Sequence, residues 1–147
     1  MRALVQRSLE SSVTVDNKVV GKINKGMVVL VGFTYEDNDS DIDYLVRKII
    51  NLRIFEDENG IMNKSILETN GEILLISQFT LYADTTGGNR PSYIKALKSE
   101  EAKSLYEKFI EKLRNHIYVE TGVFGADMKV NILNDGPVTI MLESKGK

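Results

Sequence analysis

The chain has 147 residues, 42% hydrophobic, 27% charged and 7% aromatic, the balance of a soluble globular chain long enough for one domain with a real core. No cysteine and a single histidine, His116, exclude thiol chemistry and the Cys/His sets that hold zinc or iron–sulfur clusters. A formal charge of −2 excludes a surface that is wholly a nucleic-acid footprint but leaves room for a local basic patch.

Ala3 and Val5 alternate with Leu4 and Gln6, and Val13 with Val15 repeats the pattern; the N-terminus lacks the apolar core of a signal peptide, so a cytoplasmic protein is expected. Val19, Val20 and Ile23 follow across Asp16-Asn17-Lys18, which predicts a hairpin. Asn24-Lys25-Gly26 then interrupts the chain before Met27 to Phe33, a continuous apolar run of the kind a central, doubly covered strand requires. Ile42, Leu45, Val46, Ile49 and Ile50 fall at helical spacing, with Asp39 or Ser40 as N-cap. Leu52 to Phe55 predicts a strand ended by Asp57-Glu58-Asn59-Gly60, and Asn70-Gly71 opens another through Ile73 to Ile76.

Residues 83 to 92 gather turn formers without periodicity, the composition of a functional loop. From Ser99 as N-cap, Ala102, Leu105, Tyr106, Phe109, Ile110 and Leu113 trace one helical face, with Lys103, Lys108, Lys112 and Arg114 outside it. Val119, then Met128, Val130 and Ile132, and finally Val138, Ile140 and Leu142 predict the closing strands, and the tail Lys145-Gly146-Lys147 is expected to fray. Two helices can cover only one face of a sheet, so strands must pack on strands. The expected class is α/β with a layered β/β/α order, antiparallel or mixed sheets and two main helices. No run approaches the ~18 apolar residues of a membrane span.

Several chemistries find little support. There is no GxxxxGK[ST] and no GxGxxG after a strand, so a nucleotide phosphate cradle is not expected. Asp37, Asp39, Asp41 and Asp43 alternate, but a calcium loop from Asp37 meets Ile42 where Gly is needed and Lys48 where Glu is needed; a solvated helix start accounts for them. His116 lies past the basic helix, where a cation suits the helix dipole. The lysines of that helix can face phosphates or, interleaved with Glu100, Glu101, Glu107 and Glu111, form an ordinary solvated face.

Two segments carry more. Ser77-Gln78-Phe79-Thr80 puts hydroxyls, an amide and backbone N–H groups at the exit of a buried strand, which can build an oxyanion hole or simply continue the strand to Tyr82. Asn134-Asp135-Gly136-Pro137-Val138-Thr139 reads as a hairpin turn or, with a cis Gly–Pro bond, as bare backbone presented to a neighbour.

Together, SQFTLYAD (Ser77 to Asp84) and NDGPVT (Asn134 to Thr139) resemble the two signature motifs of the D-aminoacyl-tRNA deacylases. The likeness continues through MRALVQR, GKINKGMVVLVGF, LRIFEDENGIMNKSI, NRPSY and TGVFGADMKVNILNDGPVT, covering 1–147 in order. It implies a single-domain homodimeric hydrolase, without metal or organic cofactor, that cleaves the ester joining a D-amino acid or glycine to the terminal adenosine of tRNA. It also implies a site at the dimer interface, with Ser77, Gln78, Phe79 and Thr80 of one subunit as the catalytic segment and Gly136-Pro137, in cis, of the other. Arg7, Asn134 and Thr139 fall on the substrate-binding side in this likeness, Arg7 as a tether for main-chain carbonyls near Gly136; a plain strand arginine is the alternative.

Backbone N–H groups around Phe79 and Thr80 are candidate oxyanion donors. Thr80 has no His or Lys nearby to activate it, so attack by water, oriented by the substrate's ribose hydroxyl, is preferred. A bare backbone wall at Gly136-Pro137 rejects an L side chain by clash. Because Thr85 to Arg90 lacks the family's further basic residues, tRNA contact is expected from Lys95, Lys98 and the following helix. Two other classes remain: a tRNA-binding module without turnover, and an esterase for small acyl esters.

Overall fold

The computed structural model describes residues 1–145. Its frame is a mixed five-stranded sheet in the order β10 (Asn134–Glu143), β1 (Arg2–Ser8), β4 (Gly26–Gly32), β7 (Glu72–Ser77) and β8 (Val119–Thr121). β1 pairs antiparallel with both β10 and β4, whereas β4, β7 and β8 run parallel. The valine-rich run therefore forms the central strand. A second sheet, β3 (Lys18–Ile23), β2 (Ser11–Val15) and β9 (Lys129–Asn131), lies on one face, and a two-stranded ribbon joins β5 (Phe55–Glu56) to β6 (Met62–Lys64).

Alternation decides which sheet face meets which layer. Val28, Leu74 and Ile76 point toward Val13 and Ile23 of the small sheet, while Met27, Val29, Val31, Ile73 and Leu75 point toward the helices. Those helices are α1 (Asp39–Asn51) and α2 (Ser99–Arg114), which contribute Ile42, Leu45, Ile49, Tyr106, Phe109 and Leu113 to the larger core. The layers are β/β/α. Each buried aliphatic side chain of α1 contributes about 1.5–3 kcal/mol, against about 1 kcal/mol for a helix cap, so packing holds the helix and the cap sets only where it starts. Among the described residues no helix is long and apolar enough to cross a membrane.

Local details differ from the sequence expectations. α1 starts one residue earlier than expected, on Asn38, whose side chain accepts from Ser40 N–H while Asp41 accepts from Asn38 N–H, a reciprocal capping box. Ser99 is the first residue of α2 and not its cap; Lys98 precedes it without a side-chain cap. Leu52 to Phe55 is a strand only from Phe55, because its sole ladder partner is the short β6. Leu52 itself is the extended C-cap of α1.

The acidic series is used structurally. Asp37 pairs with the amino group of Met1 at 2.9 Å, and Asp41 is buried in the cap. Lys145, expected to fray, reaches Asp41 at 3.2 Å and Asp37 at 3.4 Å; Gly146 and Lys147 lie outside the described residues. Two lysines of α2 are also committed, Lys108 to Asp39 and Lys112 to Asp43, so opposite charges tie the two helices together.

Candidate active site

The first motif begins where β7 leaves the sheet. Gln78 N–H donates to the Val31 carbonyl at 2.7 Å, and the chain then turns into a short 3₁₀ helix, Phe79–Tyr82, instead of continuing as a strand. Gly32 makes the turn possible: a Cβ there would stand 2.8 Å from the Gln78 carbonyl oxygen. Arg2 secures the segment from β1, donating to the Leu81 carbonyl at 2.8 Å and lying 4.5 Å from the Tyr82 ring centroid. Burial pushes the Tyr82 phenol up from its ordinary pKa, so it stays protonated at neutral pH.

Phe79 and Thr80 open this helical turn, where backbone N–H groups have no intrahelical acceptor. Among the described residues neither N–H donates to another acceptor. Both donors are thus unspent. Beside them opens a cleft of about 390 Å³ lined in part by Ser77, Gln78, Phe79, Tyr93, Phe124 and Met128. Phe79 and Tyr93 meet edge to face at 5.0 Å, and each leaves about half its surface to solvent (53% and 43%). Thr80 does not line the cleft, and its hydroxyl has no basic partner among the described residues.

The loop that follows is anchored at its base. Asp84 and Ser92 exchange two backbone hydrogen bonds of 2.8 Å. The N–H and hydroxyl of Thr86, with Lys95 at 3.3 Å, hold the Asp84 carboxyl down at about 2. Lys95, expected to meet tRNA, is therefore already paired with a carboxylate.

The second motif is not a hairpin turn, because β9 and β10 belong to different sheets. Asn134 pairs with Ser8 and Thr139 with Gln6, so five steps along β10 face two along β1 and the excess bulges outward. Gly136-Pro137, a cis peptide, forms that bulge and is exposed. Asn134 closes it. Its amide donates to the carbonyls of Arg7 and Val138, both at 3.0 Å, and its oxygen accepts from Gln6 at 3.2 Å and Thr139 at 3.1 Å. Arg7 is buried, donates to the Ile54 carbonyl at 2.8 Å, and places Nε 3.2 Å from the Asp135 carboxylate.

The structure brings Ser77, Gln78, Phe79 and Thr80 together, and separately Arg7, Asn134, Gly136, Pro137 and Thr139. It does not join the two groups. Arg2 reaches Leu81, just after the first, and Arg7 belongs to the second, and the five steps of strand from one to the other span about 17 Å. Arg2, Gln6 and the cleft residues Tyr93, Phe124 and Met128 escaped the sequence reading, since nothing in a strand's alternation says which polar side chain will reach a distant loop.

The model of the D-Tyr-tRNA(Tyr) deacylase family matches residues 4–143. The chain belongs to that family. Curated relatives named D-aminoacyl-tRNA deacylase agree with it: 58% identity to that of Clostridium novyi (strain NT), over 99% of this chain and 98% of the relative. The relative of Flavobacterium psychrophilum is 55% identical over 100% and 99%. Among solved structures, one titled c-Myc DNA Unwinding Element Binding Protein superposes with a TM-score of 0.93 at 44% identity, covering 97% of this chain and 98% of that one. Another, titled as a probable eukaryotic D-amino acid tRNA deacylase, has a TM-score of 0.83 at 18% identity over the same shares and speaks for the deacylase fold alone.

Proposed function

We propose that the chain, as one catalytic domain spanning 1–147, hydrolyses the ester of D-aminoacyl-tRNA in the cytoplasm, and that it does so as a homodimer whose sites are shared between subunits. The observation that carries the shared site is the separation just described. An exposed Gly136-Pro137 bulge and an open cleft at Phe79 stand too far apart within one chain to act on one ester, and a two-fold arrangement lets each subunit present its bulge to the other's cleft.

In this reading the terminal adenosine enters the cleft beside the Phe79–Tyr93 pair, where aromatic surface suits a base. The Phe79 and Thr80 N–H groups receive the oxyanion of the tetrahedral intermediate. Water attacks the ester carbonyl, oriented by the neighbouring ribose hydroxyl of the substrate. The tetrahedral intermediate then expels the ribose oxygen, which takes up a proton, leaving free amino acid and tRNA. The partner's bulge presents backbone without a side chain at the α-carbon, which admits a D side chain or the hydrogen of glycine and clashes with an L side chain. Arg7, Asn134 and Thr139 hold the bulge in place.

Comparison of D-tyrosyl-, L-tyrosyl- and glycyl-tRNA at catalytic enzyme concentration tests this. Rapid loss of the D and glycyl esters with the L ester spared is expected. Binding without loss of any ester would instead make the chain a tRNA-binding module, and equal loss of all three, or turnover of free amino acid esters, an ordinary esterase. In the same assay Thr80→Ala should keep turnover within about tenfold of the parent, because its hydroxyl has no base to activate it. A loss beyond 100-fold at unchanged binding would make Thr80 the nucleophile.

A further inference from the structure

A second site stands out at the opposite end of β1 from the Phe79 cleft. A groove of about 450 Å³ is lined by Tyr44, Arg47, Lys48, Asn51, Leu52 and Arg53, and by no carboxylate. Several basic side chains elsewhere are already spent: Lys95, Lys108, Lys112, Lys129 and Lys145 all pair with aspartates. The side chains of Arg47 and Lys48 make no ion pair or hydrogen bond among the described residues. Arg53 is fixed by Asn63, donating from Nε to its carbonyl at 2.9 Å and from Nη2 to its side-chain oxygen. Glu68 feels the charge of Arg53, yet its carboxylate is engaged by Ser65 N–H and lies outside the groove.

The end of α1 explains one of these cations, since Lys48 in the last turn offsets the helix dipole. It does not explain three around one groove. Three cations, an aromatic ring and an amide along a trough are the complement of a phosphodiester backbone. Position adds to charge. Arg53 precedes Ile54, whose carbonyl holds Arg7, and Arg7 Nη2 lies 3.1 Å from where a Cβ on Gly136 would stand. The groove is therefore linked to the Gly136-Pro137 bulge through Ile54 and Arg7.

We propose that Arg47, Lys48 and Arg53 form a phosphate-binding groove for the acceptor end of tRNA. This rests on the shared-site reading: the subunit that lends its bulge to the partner's cleft also grips the backbone of the tRNA whose ester lies there. One tRNA is then bound by both subunits, chemistry on one and phosphates on the other.

The test uses Arg47→Gln/Lys48→Gln/Arg53→Gln, with Arg47→Gln/Lys48→Gln as the variant that leaves the Arg53–Asn63 contact intact. Binding of uncharged tRNA should weaken at least about tenfold at 0.1 M salt, and the slope of log Kd against log salt should fall by about 2 for the triple variant. The value of kcat/KM on D-tyrosyl-tRNA should fall in step, while D-tyrosyl-adenosine, which has no phosphate backbone, should be cleaved at the parental rate. Unchanged tRNA affinity in both variants overturns the proposal, as does an equal loss on D-tyrosyl-adenosine. Retained tRNA binding with loss of duplex DNA binding would reassign the groove to DNA and overturn it too. A parent protein inert on both esters would sink the deacylase reading, whereas the uncharged tRNA arm would still decide the groove.

Discussion

Gly136→Val should lower kcat/KM on D-tyrosyl-tRNA by about 100-fold or more, because small misplacements of a positioning element cost that much. The residue has φ +118, a conformation that L side chains rarely adopt. A Cβ there would stand 2.8 Å from Val138 Cγ2, 2.9 Å from Val138 N and 3.1 Å from Arg7 Nη2. All three belong to the structure that sets the bulge, so the chain must move the wall, the arginine tether or both. Gly136 and Pro137 are exposed on the outer strand of the large sheet and neither belongs to the main core, though Val138 packs against it. The urea midpoint should therefore change much less than the activity. Parental turnover in a folded Gly136→Val protein would remove the backbone wall from the mechanism.

Phe79→Pro carries the second large effect, since it deletes one oxyanion donor without asking the backbone to refold. Phe79 is the first residue of its helical turn, where proline is tolerated, and Gln78 before it has φ −142 and ψ 89, outside the α region that proline forbids its predecessor. Loss of one such donor costs about 100- to 1000-fold in kcat. Phe79→Ala is the control, because it keeps the N–H and loses the ring that meets Tyr93. It should raise KM severalfold and leave kcat near the parental value. Equal kcat for the proline and alanine variants would show that the Phe79 N–H does not meet the developing charge.

Much of the frame was legible in the sequence because burial obeys period. Ala3 and Val5 face the core, Met27 to Val29 are buried throughout, and Ala102, Tyr106, Phe109 and Leu113 line one side of α2. The Asp16-Asn17 turn was legible too, as both residues adopt positive φ. What stayed hidden depended on partners distant in sequence. The bulge at Gly136 exists because β10 adds to β1 across 127 residues, where a local reading sees only turn-forming residues. Lys95 looked free until Asp84 was folded against it. The placement of the two motifs toward opposite ends of β1 could be seen only once the strand register was known.

That placement makes the shared site the central claim, and mixed dimers test it most directly. Gly136→Val and Phe79→Pro are each inactive alone in this account. Unfolded together and refolded at equal concentration, they should form heterodimers in which the intact Phe79 of one chain meets the intact Gly136 of the other. Half the dimers then carry one working site of two, so about a quarter of parental activity should return. No recovery from a mixture that demonstrably contains heterodimers would place both motifs in the same subunit's site and contradict the account.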